Sequence, residues 1–384
     1  MTESVTKNAA SRRNPSLPEV VYIESGVCFV LFARDIARSI NLERAEQRIH
    51  QNTERETIRH KRRAPSYFEY QPPPLRVTQG IEPLDLNTYR LEAGVDVILY
   101  DFGAMAVIYA IPIRGPFSNL LQLSEDLYDN QQLLSDSRRR AEHLLSTLGD
   151  AVTEGSITEL VEDYIIFHIN SLASPISTTD FCSQYGQQLA QILRAERQVL
   201  SEEEVEDALS ARISFSTDDL TIIDWHAALL LDREGDDVRT VLEFANVELL
   251  EMRYLDQKMD RALDQAYEAL SKRSWKLPSI LGSYGRDLQR LAELQVDSAI
   301  LFESVNNTLK LLGDQFLARV HRLVNKRFQL DQWDGSILRK LGTLESIYEK
   351  ISDQAANRRM ETLEWVIIIL IAVSIGIELV RYFP

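Results

Sequence analysis

"VDVILYDFGAMAVIYAIPI", residues 95–113, sets two runs of β-branched and aromatic residues on either side of Asp101-Phe102-Gly103. Two strand-like runs joined by a short break that holds glycine predict a β-hairpin, and Pro112 closes its second strand. Upstream, "VVYIESGVCFVLF" (20–32) reads as two short strands, or one bent strand, around Ser25-Gly26. It leads into a helix in which Ile36, Ile40, Ala45 and Ile49 recur at helical spacing. Downstream, a helical segment runs from near Ser118 toward Leu148, and "EDYIIFHI" and "TIIDWHAALLL" read as further strands. Between those two lie helical "TDFCSQYGQQLAQILRAERQVL" and "SEEEVEDAL", where Ser201 and Glu204 stand at capping-box spacing and mark a helix start rather than a catalytic acid pair. Strands outnumber crossover helices, so residues 20–232 are expected to form an α+β domain with a mainly antiparallel sheet and helices.

Composition bounds the alternatives. The chain has 384 residues, 45% hydrophobic and 26% charged, enough to bury a core and to divide into two regions. A net charge of −16 argues against nucleic-acid binding through the whole surface, because phosphate contacts need a basic footprint. Cys28 and Cys182 provide no disulfide framework and read as small core residues. Residues 1–19 contain no apolar core of a secretory signal and read as a disordered tail, although Lys7, Arg12 and Arg13 leave a transit-peptide reading open.

A basic and proline-rich insertion spans about 52–83, with Arg59, Lys61, Arg62 and Arg63 followed by Pro72-Pro73-Pro74. Three consecutive prolines forbid helix and favour an extended path. The functional reading is a local contact for anionic lipid or RNA through those four cations, with Tyr67, Phe68 and Tyr70 beside them. The simpler reading, a solvated loop, is preferred.

After Asp236 the pattern changes to long helices. Positions 238, 242, 245, 249, 252, 256, 259, 263, 266 and 270 are all apolar except Asp256, a stripe over nearly five heptads. Pro278, Gly282 and Gly285 break this helix; a second helix carries Leu301, Val305, Leu309, Leu312, Phe316, Val320 and Leu323. Asp331 to Gly335 reads as another break, and a third helix shows Ile337, Leu341, Leu344, Tyr348, Ile351 and Ala355. The expected architecture over 236–360 is a long antiparallel helical hairpin or coiled-coil stalk, whose surface also suits homo-oligomerisation.

Residues 361–384 read as a single C-terminal transmembrane helix. The uninterrupted apolar run Trp365–Ile377 is only thirteen residues, a length that favours a core or interfacial segment. Extension to Phe383 gathers twelve Val, Ile, Leu and Phe residues, worth roughly −4 to −7 kcal/mol on an insertion scale. Glu378 and Arg381 oppose insertion, but they lie near one end and can pair. Trp365 and Tyr382 stand about 26 Å apart along a helix, near the thickness of a thin bilayer. The expected anchor therefore comprises Trp365, Ile369, Leu370, Glu378, Arg381 and Tyr382. Arg358 and Arg359 on the near side keep the N-terminal bulk on the cytoplasmic or matrix side of a bacterial or mitochondrial inner membrane.

A helix running into "TLEWVIIILIA", with "VLEFANVELLEMRYLDQKMD" about 120 residues upstream and "VDVILYDFGAMAVIYAI" before that, resembles the family called "required for meiotic nuclear division", domain of unknown function 155. The resemblance covers roughly 20–384 and is sharpest at Leu363-Glu364-Trp365 and at Leu242-Glu243-Phe244-Ala245-Asn246. It implies a non-enzymatic protein held in a membrane by a C-terminal span; mitochondrial members form large assemblies in the inner membrane and support translation.

Motifs for chemistry are sparse. The six histidines, at 50, 60, 143, 168, 226 and 321, fall at no metal spacing with each other or with either cysteine, and the sequence has no phosphate-binding glycine loop. Neither a cofactor nor a metal is expected. Asp224 and His226, two apart on a predicted strand, face the same way and suit an acid and base pair, although a polar strand face is the preferred reading. Glu243, Asn246 and Glu251 read as solvated or inter-helix groups. The function expected is a non-enzymatic, tail-anchored membrane scaffold that recruits or spaces an unidentified protein partner, with the bilayer and further copies of itself as its other contacts. The alternative is an oligomeric CorA-like channel, which joins a similar soluble domain to long helices but needs two spans with Gly-Met-Asn between them.

Overall fold

The N-terminal strand sets the frame. Tyr22–Asp35 (β1) is fourteen residues long and stays a single strand, because a β-bulge at Ser25-Gly26 absorbs the bend. The computed structural model describes residues 21–53, 73–80, 85–86, 89–272, 296, 299 and 315–382. The chain divides into two compact units, Met1–Val247 with Leu311–Phe328, and Glu248–Lys310 with Gln329–Pro384.

In the first unit the order after β1 is β2 (Ser39–Ile40), α1 (Leu42–Thr53), β3 (Leu75–Gly80), β4 (Asp85–Leu86), β5 (Tyr89–Arg90), β6 (Gly94–Leu99) and β7 (Ala104–Pro116). Then come α2 (Asn119–Leu127), α3 (Gln131–Leu148), β8 (Val152–Thr153), β9 (Glu162–Leu172), α4 (Thr178–Arg194) and α5 (Glu202–Ala208). Strands β10 (Arg212–Ile213), β11 (Leu220–Ile223) and β12 (Ala227–Leu231) follow, and then the long helix α6 (Asp236–Lys272). The remaining described helices are Gln315–Phe328 and Leu330–Tyr382.

Eight of the described strands form one sheet in the order β10-β11-β12-β9-β1-β7-β6-β3. All pairings are antiparallel except β12 with β9, so the sheet is mixed rather than wholly antiparallel. The fold of this unit is α+β.

The hairpin turned at Asp101–Gly103 is present as β6 and β7. Its turn is gripped from outside: the Ile36 amide donates to the Gly103 carbonyl at 3.0 Å and the Ile40 amide to that of Asp101 at 2.7 Å. Gly103 has φ +106, and a Cβ there would overlap the Ala37 carbonyl oxygen, so only glycine fits.

One face of the sheet is covered by α1 to α4. Cys28, Val30 and Phe32 of β1, Val107, Tyr109 and Ile111 of β7, and Ile165 and Phe167 of β9 pack there against Ala45, Leu123, Leu144 and Phe181. The other face receives the start of α6 and the helix Gln315–Phe328. Phe244 approaches Tyr100 with ring centroids 6.2 Å apart, Phe328 approaches Tyr164 at 5.4 Å, and the Arg239 guanidinium stacks over Phe29 at 4.3 Å. The unit is therefore a three-layer sandwich with polar groups embedded in its second interface.

Two local readings change. Tyr128–Asn130 divides the helix expected from Ser118 to Leu148, with Asp129 at φ 51 and the Asn130 side chain capping α3 through the Leu133 amide. Leu75–Gly80, read as part of the 52–83 insertion, is strand β3 at one end of the sheet. Arg59, Lys61, Arg62 and Arg63 lie outside the described residues.

The second unit is helical. Met252, Leu255, Met259 and Ala266 of α6 pack against Ile337, Leu344, Ile347 and Tyr348 of the helix Leu330–Tyr382. Asp256, the polar member of the apolar stripe, takes an ion pair from Lys340 at 2.7 Å and a hydrogen bond from Ser336 at 3.2 Å. The expected break at Asp331–Gly335 is absent; Gly335 lies inside the helix, and the chain turns at Gln329, whose φ of 55 is left-handed. Pro278, Gly282, Gly285, Leu301, Val305, Leu309 and Leu312 lie outside the described residues.

The C-terminal expectation is corrected. Among the described residues, no helix is long and apolar enough to cross a membrane. Trp365, Ile369 and Leu370 lie in an apolar run of thirteen residues, which rises about 20 Å against a hydrocarbon core of roughly 30 Å. The helix continues through Glu378, Arg381 and Tyr382, but that extension brings two charges into the segment. The transmembrane helix, the tail anchor and the single-pass placement in an inner membrane all fall with this finding.

Candidate functional site

The connection between β11 and β12 is three residues long, Asp224-Trp225-His226, and several elements converge on it. Asp224 and His226 were read as neighbours on one strand; they lie instead in this tight turn, closed by the Asp224 amide donating to the Ala227 carbonyl at 2.9 Å. Asp224 is 1% exposed, and its carboxylate accepts from Arg194 Nε at 3.0 Å and from Arg327 Nε at 3.0 Å. Arg194 is the last residue of α4, and Arg327 lies in the last turn of the helix Gln315–Phe328. Both arginines also hold Asp207 of α5, with Arg194 Nη2 at 2.6 Å and Arg327 Nη2 at 2.9 Å, and Arg194 pairs with Glu204. Local sequence explains α5: the Ser201 hydroxyl caps the Glu204 amide at 3.2 Å, while the Glu204 carboxylate pairs with Arg194.

The electrostatics follow from this geometry. Hydrogen bonding to Arg327 holds the Asp207 carboxyl below its ordinary pKa. Burial alone would lower the Arg327 guanidinium pKa, but Asp207 and Asp224 raise it above its usual value. With both oxygens of Asp224 occupied by guanidinium groups, this carboxylate is not a base for His226. The nearest acid to His226 is Asp163, 3.9 Å from Nδ1, and burial lowers the histidine pKa while Asp163 and Asp224 oppose that shift. Tyr128 stacks edge-on to His226 with centroids 4.8 Å apart, and Arg327 lies over the Trp225 ring at 5.7 Å. Trp225 and Tyr128 are 49% and 58% exposed, so the clamped turn carries two aromatic side chains toward solvent.

A second clamp lies on the same face of the sheet, at its β3 end. Glu243 of α6, 1% exposed, accepts from Arg76 Nη2 at 2.7 Å and from Arg239 Nη1 at 2.8 Å. Arg76 also donates to Asp96 at 3.0 Å, and Arg239 to Asp236 at 3.1 Å. Burial alone would lower the Arg76 pKa, yet Glu243 and Asp96 raise it. Glu243 is thus a buried ion-pair member rather than a solvated group. Asn246 is buried and bonds the Leu242 carbonyl one turn back at 3.3 Å. Glu251 is buried and belongs to the other unit.

Arg76, Arg194, Arg239 and Arg327 were missed in the sequence. Arginine on a helix or edge strand ordinarily faces water; Arg76, Arg194 and Arg327 are drawn inward by carboxylates distant in the chain, a relation without local signal, whereas Arg239 pairs with Asp236 and Glu243 at helical spacing on its own helix. The arrangement locks helices onto the sheet and presents aromatics at one turn; among the described residues, no group of histidine, cysteine or acidic side chains could hold a metal.

Comparison with known proteins gives a family without an assigned activity. Residues 25–237 match the family described as "Uncharacterized protein MJ0711, N-terminal domain". A protein of that description from Methanocaldococcus jannaschii is 24% identical over 229 residues, covering 58% of this chain and 67% of that one. No solved structure matches. The match overturns the resemblance to the "required for meiotic nuclear division" family, which is a different one; Leu363–Trp365 lies beyond the matched residues altogether.

Proposed function

We propose, from the premise that the chain belongs to the MJ0711 N-terminal domain family, that the protein is a non-enzymatic assembly protein whose C-terminal helix joins copies of the chain. In this reading the α+β unit is the body carried into the assembly, and its clamped turn meets a protein partner through Trp225 and Tyr128. Large aromatics beside arginine are what protein interfaces use as anchors.

The observation that carries the proposal is the run from Leu363 to Ile377. Its large side chains, Trp365 through Ile371, Val373, Ile375 and Ile377, are between 46% and 66% exposed. Folded chains rarely leave so long an apolar surface uncovered. The same run is present on every copy, so a second copy is a partner of matching chemistry. Two such runs laid together reach roughly the 1,000 Å² that a specific interface needs. The saturation of Asp224 and Glu243 by arginines supports a structural role over a reactive one.

Cross-linking tests the proposal. A cysteine introduced as Leu370→Cys is expected to join two copies under mild oxidation in detergent-free buffer. The same substitution in a chain also carrying Ile368→Asp and Ile371→Asp should lose the cross-link. Absence of any intermolecular product from the first variant would count against the proposal.

A further inference from the structure

Arg239, which is buried, and Arg76 and Arg327, whose side chains are 12% and 9% exposed, each touch two carboxylates. Arg34, near the end of β1, is 4% exposed, yet among the described residues no hydrogen bond or ion pair reaches its side chain, and its Nε is buried without a partner. Leaving that N–H unpaired is costly, because the hydration it gives up is not replaced.

What surrounds Arg34 indicates the missing group. Arg34 stands on the sheet face that carries Val30 and Phe32, opposite Met105 of β7. Burial lowers its pKa and the positive charge of Arg138 lowers it further, while Glu159, Glu142 and Tyr109 oppose the shift from a distance. Arg138, on α3, is itself tied to Glu159 by two bonds of 2.6 and 2.9 Å and to Glu142 at 3.1 Å. Glu159 is 82% exposed, so this fork sits at the surface and exchanges readily with solutes. The connection between β8 and β9 that carries Glu159 is held against the end of β1, with the Ser156 amide donating to the Ile36 carbonyl at 2.9 Å and the Thr158 amide to that of Asp35 at 3.1 Å. A buried guanidinium with an unpaired Nε and a surface guanidinium held by an exposed carboxylate therefore lie within each other's electrostatic reach, beside a polar strap on the end of β1.

We infer that Arg34 and Arg138 form a receptor for a small oxyanion, a carboxylate or phosphate group, which takes the inner fork of Arg34 and draws Arg138 from Glu159. Paired guanidinium forks match the oxygen spacing of such groups bidentately. No bond is made or broken in the ligand; the step is an exchange of ion pairs.

The experiment is thermal unfolding of the full chain in a buffer free of oxyanions, with inorganic phosphate or acetate added and sodium chloride at matched ionic strength as control. Phosphate or acetate should raise the midpoint of the wild-type chain by about 3 °C or more over chloride, and whichever anion acts identifies the class of ligand. Arg34→Met should raise the midpoint without added anion, because it replaces an unpaired buried charge with an apolar group of similar length, and should abolish the response. Arg138→Gln alters a surface group and should weaken the response while the chain stays folded. A wild-type chain indifferent to both anions, or an Arg34→Met chain that is less stable and still responds, overturns the inference.

Discussion

Arg327 donates to Asp224 at 3.0 Å across 103 residues of sequence, and so fastens the end of the helix Gln315–Phe328 to the turn between β11 and β12. Asp224 is almost wholly buried and Arg194 reaches it from the other side. Asp224→Asn would leave two guanidinium groups without their shared carboxylate. A loss of about 3 kcal/mol or more is expected in urea unfolding; a loss under about 1 kcal/mol would mean that Asp207 alone suffices to hold both arginines.

Gly103 is the second point at which one residue decides the α+β unit. Its φ of +106 and the overlap of an added Cβ with the Ala37 carbonyl combine a conformational cost with a steric one. Gly103→Ala should cost roughly 2–4 kcal/mol in the same urea assay, and an unchanged midpoint would show that the turn relaxes freely.

Ala195 provides a test of opposite sign. It ends α4 in the left-handed conformation, φ 50 and ψ 40, where its methyl group is a liability. Ala195→Gly should stabilise the chain by about 0.5–1 kcal/mol, read as a rise in the thermal midpoint.

The helical unit should respond to pH through Asp334. Burial, with Glu248 and Asp331 nearby, raises this carboxyl to about 6. A folded-state value above the unfolded one means that the group favours folding fully below the unfolded value, near 4, and that this contribution is lost as pH rises toward about 6. The wild-type midpoint should therefore fall between pH 4 and pH 6 more steeply than that of Asp334→Asn, which should also be the more stable at pH 7.5. Parallel profiles would remove Asp334 as the cause.

What the sequence disclosed was local. The hairpin at Asp101–Gly103, the cap at Ser201 and the stripe from Val238 to Ala266 each rest on residues a few positions apart, whose spacing and turn chemistry are written in the chain. The parallel pairing of β12 with β9 is not, since it joins strands separated by two helices and two other strands. The clamps on Asp224 and Glu243 escape for the same reason: a buried arginine and a surface arginine look alike until the fold brings a carboxylate to one of them. Gly335 attracted the predicted break that Gln329 makes, because propensity favours glycine in the left-handed region while packing chose the site. The apolar run at Trp365–Ile377 gave its length plainly, but apolar count alone does not say what covers a helix.

Self-assembly through that run is the central claim, and sedimentation velocity in detergent-free buffer tests it most directly. A chain ended before Glu361 should sediment as a monomer, whereas the full 44.0 kDa chain should sediment as discrete dimers or larger assemblies that dissociate on dilution. A full-length chain that stays monomeric at the same concentrations would contradict the account.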